Sequence, residues 1–148
     1  MTRRQAIAPA CLAAALLFGR CARHREFENW NPTVPGTHFK TIGTVAGSGV
    51  PADIRMTAQV RERLQKAGVN AVRRSGRWDS IAAAVAELCA PGSDYPVDGV
   101  LTVTYNRLVL YDCASNRPAY EIQSSPQEGG LGLTQLTERL LKYLIPKD

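Results

Sequence analysis

"VDGVLTVTYNRLVLYD", residues 97–112, decides the fold. It is the stretch richest in β-branched and aromatic residues and reads as one long strand. Side chains alternate faces along a strand. Leu101, Val103 and Tyr105 share one face, but beyond Asn106 the strongest apolar residues, Leu108 and Leu110, fall on the other parity. A regular strand would also turn Arg107 to the side of Tyr105, and burying an unpaired guanidinium is costly. A bulge or sharp twist at 106–107 resolves both problems and would project residues 112–117 beyond the sheet.

The elements outward from this strand alternate. On its carboxyl side "CASNR" is a turn and "PAYEIQ" (118–123) returns as a hairpin partner. A loop, "SSPQEGGLG" (124–132), leads to a last helix carrying Leu133, Leu136, Leu140, Leu141 and Leu144. On its amino side, Asp79 is a good N-cap for a helix with Ile81, Val85 and Leu88 on one face, stopped by Pro91 and Gly92. "VNAV" (69–72) is a short strand. Before it, Met56, Val60, Leu64 and Ala67 recur at helical spacing and Gly68 supplies a stop. "FKTIGTVA" (39–46) is the first strand. The expected fold is therefore α+β, a single domain over 39–148 in the order β-α-β-α-β-β-α. It has a mixed four-stranded sheet packed with helices.

The first 20 residues read as an export signal. Arg3 and Arg4 precede an apolar run from Ala6 to Gly19. As a helix that run spans ~21 Å, short of the ~30 Å hydrocarbon core, so it suits a secretory leader better than a membrane span. Cys21 follows Leu17-Phe18-Gly19-Arg20, a partial lipobox in which Arg20 replaces the usual small residue. Acylation of Cys21 with palmitate or a related chain is expected, tethering the domain through residues 21–38 to the periplasmic face of the envelope, at the outer membrane; the alternatives are ordinary signal-peptidase cleavage and no cleavage or export. The chain has 18 Lys+Arg against 13 Asp+Glu, net +5. The leader holds Arg3, Arg4 and Arg20 and no acid, so its removal leaves net +2. That is no footprint for nucleic acid.

The alternation of elements behind an export leader resembles small bacterial envelope lipoproteins. These are the TolB amino-terminal domain, CsgG and LpoB-type proteins. The resemblance rests on the leader with Cys21, on "KTIGTVAGSG" running into the first helix, and on residues 97–122 with the amphipathic terminal helix. It is one of topology and transfers no functional residue. It implies a non-enzymatic binding or scaffold module whose partner is an envelope protein or an anionic glycan.

Three features carry chemistry. Gly47-Ser48-Gly49-Val50-Pro51-Ala52 matches G-x-G-x-x-A between a strand and a helix. Gly47, Gly49 and Ala52 are thus an alternative cofactor-binding loop, making the chain an exported cofactor-binding protein or enzyme. The plainer reading is a Gly-rich turn into a Pro-initiated helix, and no cofactor is expected. Arg73, Arg74, Arg77 and Trp78 form a basic-aromatic cluster that is either a surface for an anionic ligand or partner or a solvated loop with Trp78 capping the apolar layer. Catalysis has little support, because the only histidines, His24 and His38, lie in or beside the tether, and no metal-binding spacing occurs.

Cys89 and Cys113 are an even pair in a chain bound for an oxidising compartment, which favours a bridge. Distance argues otherwise. The residues between Asp98 and Cys113, if straight, span up to ~50 Å, against the ~4.4–6.8 Å between Cα atoms that a disulfide needs. Two separate thiols are expected.

Overall fold

The computed structural model describes residues 26–125 and 129–147. They form β1 (Glu26–Trp30), β2 (Ile42–Ala46), α1 (Pro51–Lys66), β3 (Ala71–Arg73), α2 (Ile81–Leu88), β4 (Gly99–Thr104), β5 (Arg107–Asp112), β6 (Arg117–Ser124) and α3 (Leu133–Leu144). The strands make one mixed sheet in the order β1-β6-β5-β4-β2-β3. β3, β2 and β4 are parallel, and β4, β5, β6 and β1 are successively antiparallel.

This sheet has six strands among the described residues, not the four expected, and two misreadings account for the difference. Residues 97–112 are not one strand. They are β4 and β5, joined through Tyr105 and Asn106 with Thr104 opposite Arg107. A two-residue turn exchanges the parity of the buried side chains. Val103 therefore pairs with Leu108 and Leu101 with Leu110, all four fully buried. The expected bulge at 106–107 is this turn; the register irregularity lies instead between Leu110 and Tyr111, where β5 meets β6. Arg107 is exposed, and its Nε donates to Glu121 at 2.8 Å.

The second misreading concerns residues 26–38. Part of the expected tether is β1, paired with β6 from Glu26 opposite Ser124 to Trp30 opposite Tyr120. The Glu28 carboxylate accepts from the buried Tyr120 hydroxyl and lies 3.4 Å from Arg139 Nη1. Further on, Gly36 sits so close to the end of α3 that a Cβ would fall on the Tyr143 carbonyl. His38 Nε2 lies 3.2 Å from Asp112 Oδ1. Residues 26–38 are built into the fold.

The hairpin also overturns the expectation of two thiols. β5 brings the chain back to the start of β4, where the Cys113 amide donates to the Asp98 carbonyl at 2.9 Å. Cys89 and Cys113 are disulfide-bonded, with Cα atoms 4.9 Å apart. The ~50 Å estimate assumed a straight strand.

Helices cover both faces. The apolar stripes of α1 (Val60, Leu64) and α3 (Leu136, Leu140, Leu144) pack with Ile42, Leu101, Leu108, Leu110 and Ile122 in the main core. α2 lies on the other face, where Val85 meets Val45 and Val100. α1 is followed by Gly68 at φ +90°, as the spacing predicts. α2 is capped by Ser80, whose Oγ accepts from Ala83 N at 3.1 Å, one residue later than expected.

The short β3 positions the site. It pairs only with Ile42–Thr44 of β2, while β2 continues to Ala46. The chain then leaves β2 for α1 on one face and leaves β3 for α2 on the other. A gap opens where β3 stops, at the carboxyl end of the parallel strands, a place where open α/β sheets often hold ligands.

Candidate ligand cleft

The gap is a cleft of about 710 Å³. Its floor is the end of β2, Thr44–Ala46, with Gly47, Ser48 and Gly49 beyond it. Ile54, Ala58 and Arg61 of α1 form one wall. Residues 73–80, with Ile81 and Ala84 of α2, form the other. The Gly-rich loop and the basic-aromatic cluster, separate in sequence, thus line one recess. Volumes of about 300–1,000 Å³ are usual for small-molecule sites.

The arginines are the main polar feature. Arg61, Arg73, Arg74 and Arg77 all line the cleft, and among the described residues none of them is in an ion pair. Elsewhere Arg63, Arg107 and Arg139 pair with Glu138, Glu121 and Glu28. Arg61 Nη1 donates to Thr44 Oγ1 at 3.3 Å. Arg74 Nη1 donates to the Arg73 carbonyl at 3.1 Å, and its guanidinium lies over the Tyr95 ring, 5.4 Å from the centroid. Arg74 Nε is buried and has no partner among the described residues. Asp79 is the one carboxylate on the lining.

Trp78 has two roles. Its Nε1 donates to Glu87 at 2.7 Å, and its ring packs on the Val45–Val85–Val100 layer with Gly76 close against it. It closes the apolar layer and also offers surface to the cleft.

The Gly-rich loop does not do what a dinucleotide loop does. A Cβ on Gly47 would press on Thr104 and the Val103 carbonyl, so this glycine serves strand packing. Gly49 faces open space, and Ala52 is not part of the lining. The amino end of α1 is already supplied with an acid. Asp53 is buried in the first turn and accepts from Ser48 Oγ at 2.5 Å, while Ser48 Oγ accepts from Val50 N at 3.2 Å. A phosphate there would meet the Asp53 carboxylate at the helix end that should attract it.

Other expected residues lie apart. His38 and Asp112 are at the opposite end of the sheet, near the start of β4. Cys21 and His24 fall outside the described residues. Among the described residues no group of His, Cys, Asp and Glu could hold a metal ion, and no helix is long and apolar enough to cross a membrane. Arg61 was not read from the sequence, where it is one more charge on the polar side of α1.

No protein-family model and no curated protein matches the chain. Among solved structures it is similar to the PelC dodecamer from Paraburkholderia phytofirmans. The identity is 12% and the TM-score 0.47, over 83% of this chain and 98% of that one. A point variant of the same protein, also a dodecamer, gives 11% and 0.46, over 82% and 98%. The likeness is a loose one of overall shape, and no residue role is carried over from it.

Proposed function

We propose that the chain is an exported protein, lipid-anchored at the cell envelope, that acts as a non-enzymatic binding module. The observation that carries the reading is the cleft. It is ligand-sized and lined by unpaired arginines and apolar side chains, and no histidine is on its lining. The Ser48 hydroxyl is tied to Asp53, the Ser80 hydroxyl caps α2, and His38 is at the far end of the sheet. Export is supported by the leader-like residues 1–20 and by the Cys89–Cys113 bridge, a bond that persists mainly in oxidising compartments. The partner in this reading is an anionic ligand, glycan or envelope protein, and not nucleic acid.

Labelling with a palmitate analogue tests the anchor. The wild type should incorporate label and fractionate with outer membranes, and Cys21→Ser should do neither. A soluble, unlabelled wild type in the periplasm would remove the anchor and leave an exported binding module. A reduced, cytosolic protein would remove the reading altogether.

A further inference from the structure

We infer that the cleft beyond β3 takes an organic anion: one phosphate, sulfate or carboxylate cluster held by Arg61 with Arg73 and Arg77, on a body apolar enough to lie against Ile54, Ile81 and Trp78. The inference rests on the binding half of the proposed function and not on its export half.

Four arginines from three segments line one recess, none of them in an ion pair among the described residues, and Asp79 is the one carboxylate on the lining. Such a cluster is self-repelling, and a polyatomic anion relieves the repulsion. One of the four is already oriented at the recess. Arg61 is held to Thr44, on the floor, whereas the Arg74 guanidinium lies over Tyr95, a residue outside the lining. Oriented guanidinium forks suit oxyanions, since each can donate two parallel hydrogen bonds. The Gly-rich loop is a poor seat for the anion, because the Asp53 carboxylate in the first turn of α1, bonded to Ser48, would repel it. That separates this site from a dinucleotide site of similar sequence. The remaining surface, with Ile54 about half exposed, asks for apolar matter beside the charge.

Phenyl phosphate and inorganic phosphate are suitable probes, titrated at low salt into the full chain carrying Trp30→Phe. Trp78 is then the only tryptophan, so its emission reads the cleft. Phenyl phosphate should bind about tenfold more tightly than phosphate, from the added apolar contact. Arg61→Gln and Arg77→Gln should each weaken both by about tenfold or more, while Arg63→Gln, remote and paired with Glu138, should change neither. Circular dichroism identifies a variant that fails to fold, and calorimetric titration of Arg63→Gln supplies the comparison in that case. Vesicles of phosphatidylcholine with and without phosphatidylglycerol, mixed with the Cys21→Ser chain, separate the sources. Flotation only with phosphatidylglycerol, blocked by phenyl phosphate, makes the ligand a lipid headgroup; no flotation with soluble binding intact makes it a free organic anion. Absence of binding by both phosphates, or equal loss in Arg63→Gln, overturns the inference. Binding without acyl labelling overturns only the anchor.

Discussion

Removing the Cys89–Cys113 bridge should cost the domain about 3.5 kcal/mol. The bridge closes a loop with a sequence separation of 24. The loop-closure expression assigns about 3.5 kcal/mol to that length at 25 °C, through restriction of the unfolded chain. The closed loop contains the β4–β5 hairpin, and the cross-link joins the carboxyl end of α2 to the turn after β5. In a domain of this size each kcal/mol is worth roughly 4 °C in Tm, giving a fall of about 14 °C. The assay is thermal and urea unfolding of Cys89→Ser/Cys113→Ser beside the wild type, with and without reductant. The wild type in reductant should match the double variant, and the double variant should ignore reductant. A difference below about 1 kcal/mol refutes the reasoning, since closure of a loop of this length cannot contribute so little to an otherwise unstructured unfolded state. Alkylation of Cys89 and Cys113 in the unreduced folded protein would refute the bridge itself.

Glu28→Ala should destabilise the domain by about 1–3 kcal/mol in urea, because it strands the Tyr120 hydroxyl and Arg139; Glu28→Gln should lose less, and no change in either would return β1 to the status of a tether. Gly36→Ala should cost about 1–3 kcal/mol or more by forcing the segment off α3, read as a lowered Tm. Burial first, and then the Asp112 carboxylate, pushes the Tyr143 hydroxyl up to about 12 from its ordinary 10, while burial and the bond to Glu28 raise Tyr120 further. The raised folded value favours the neutral phenol, so the stability it supports is full below pH 10 and is lost as pH rises from 10 through 12. Ultraviolet titration should show phenolate absorbance from Tyr143 late, and Tyr143→Phe should remove that late step; a titration complete by about pH 10.5 would contradict the burial.

The helices were legible because their signals are local. Val60 and Leu64 fall on one side of α1, Gly68 supplies a left-handed stop, and the leucines of α3 repeat at helical spacing, so each boundary is set within a few residues. The hairpin was not legible for an equally local reason. Two-residue turns are usually announced by Asn-Gly or Asp-Gly, which supply positive φ. Tyr105 and Asn106 make their turn without it; the left-handed non-glycine residue of the described chain is Asn116, in the next turn. Only the parity of Leu101, Val103, Leu108 and Leu110 recorded the reversal, and parity alone does not distinguish a bulge from a turn. The thiol expectation failed with it, since the position of Cys113 depended wholly on whether the chain turned back. β1 was hidden differently. "EFENW" is short and polar because it is an edge strand, with one buried partner in Tyr120 and much of its surface in solvent.

The cleft was legible as two fragments and not as a site. Arg73, Arg74, Arg77 and Trp78 could be seen to cluster, and so could the glycines at 47 and 49. Their meeting requires β2 and β3 to pair in parallel and β3 to stop at Arg73, which no local pattern states. Arg61 reaches the same recess from the middle of α1, where its spacing is that of an ordinary polar helical face. The motif that matched best by spacing was the weakest guide. G-x-G-x-x-A describes where a phosphate can approach a backbone, but the residue that decides whether one does is the next in line. Asp53 puts its own carboxylate in the first turn and accepts from Ser48. With that negative charge beside the helix end, the unpaired positive charge of the cleft lies on side chains rather than on the backbone. In the proposed reading the ligand is bound by guanidinium groups, and replacing arginines, not glycines, is what should abolish its binding.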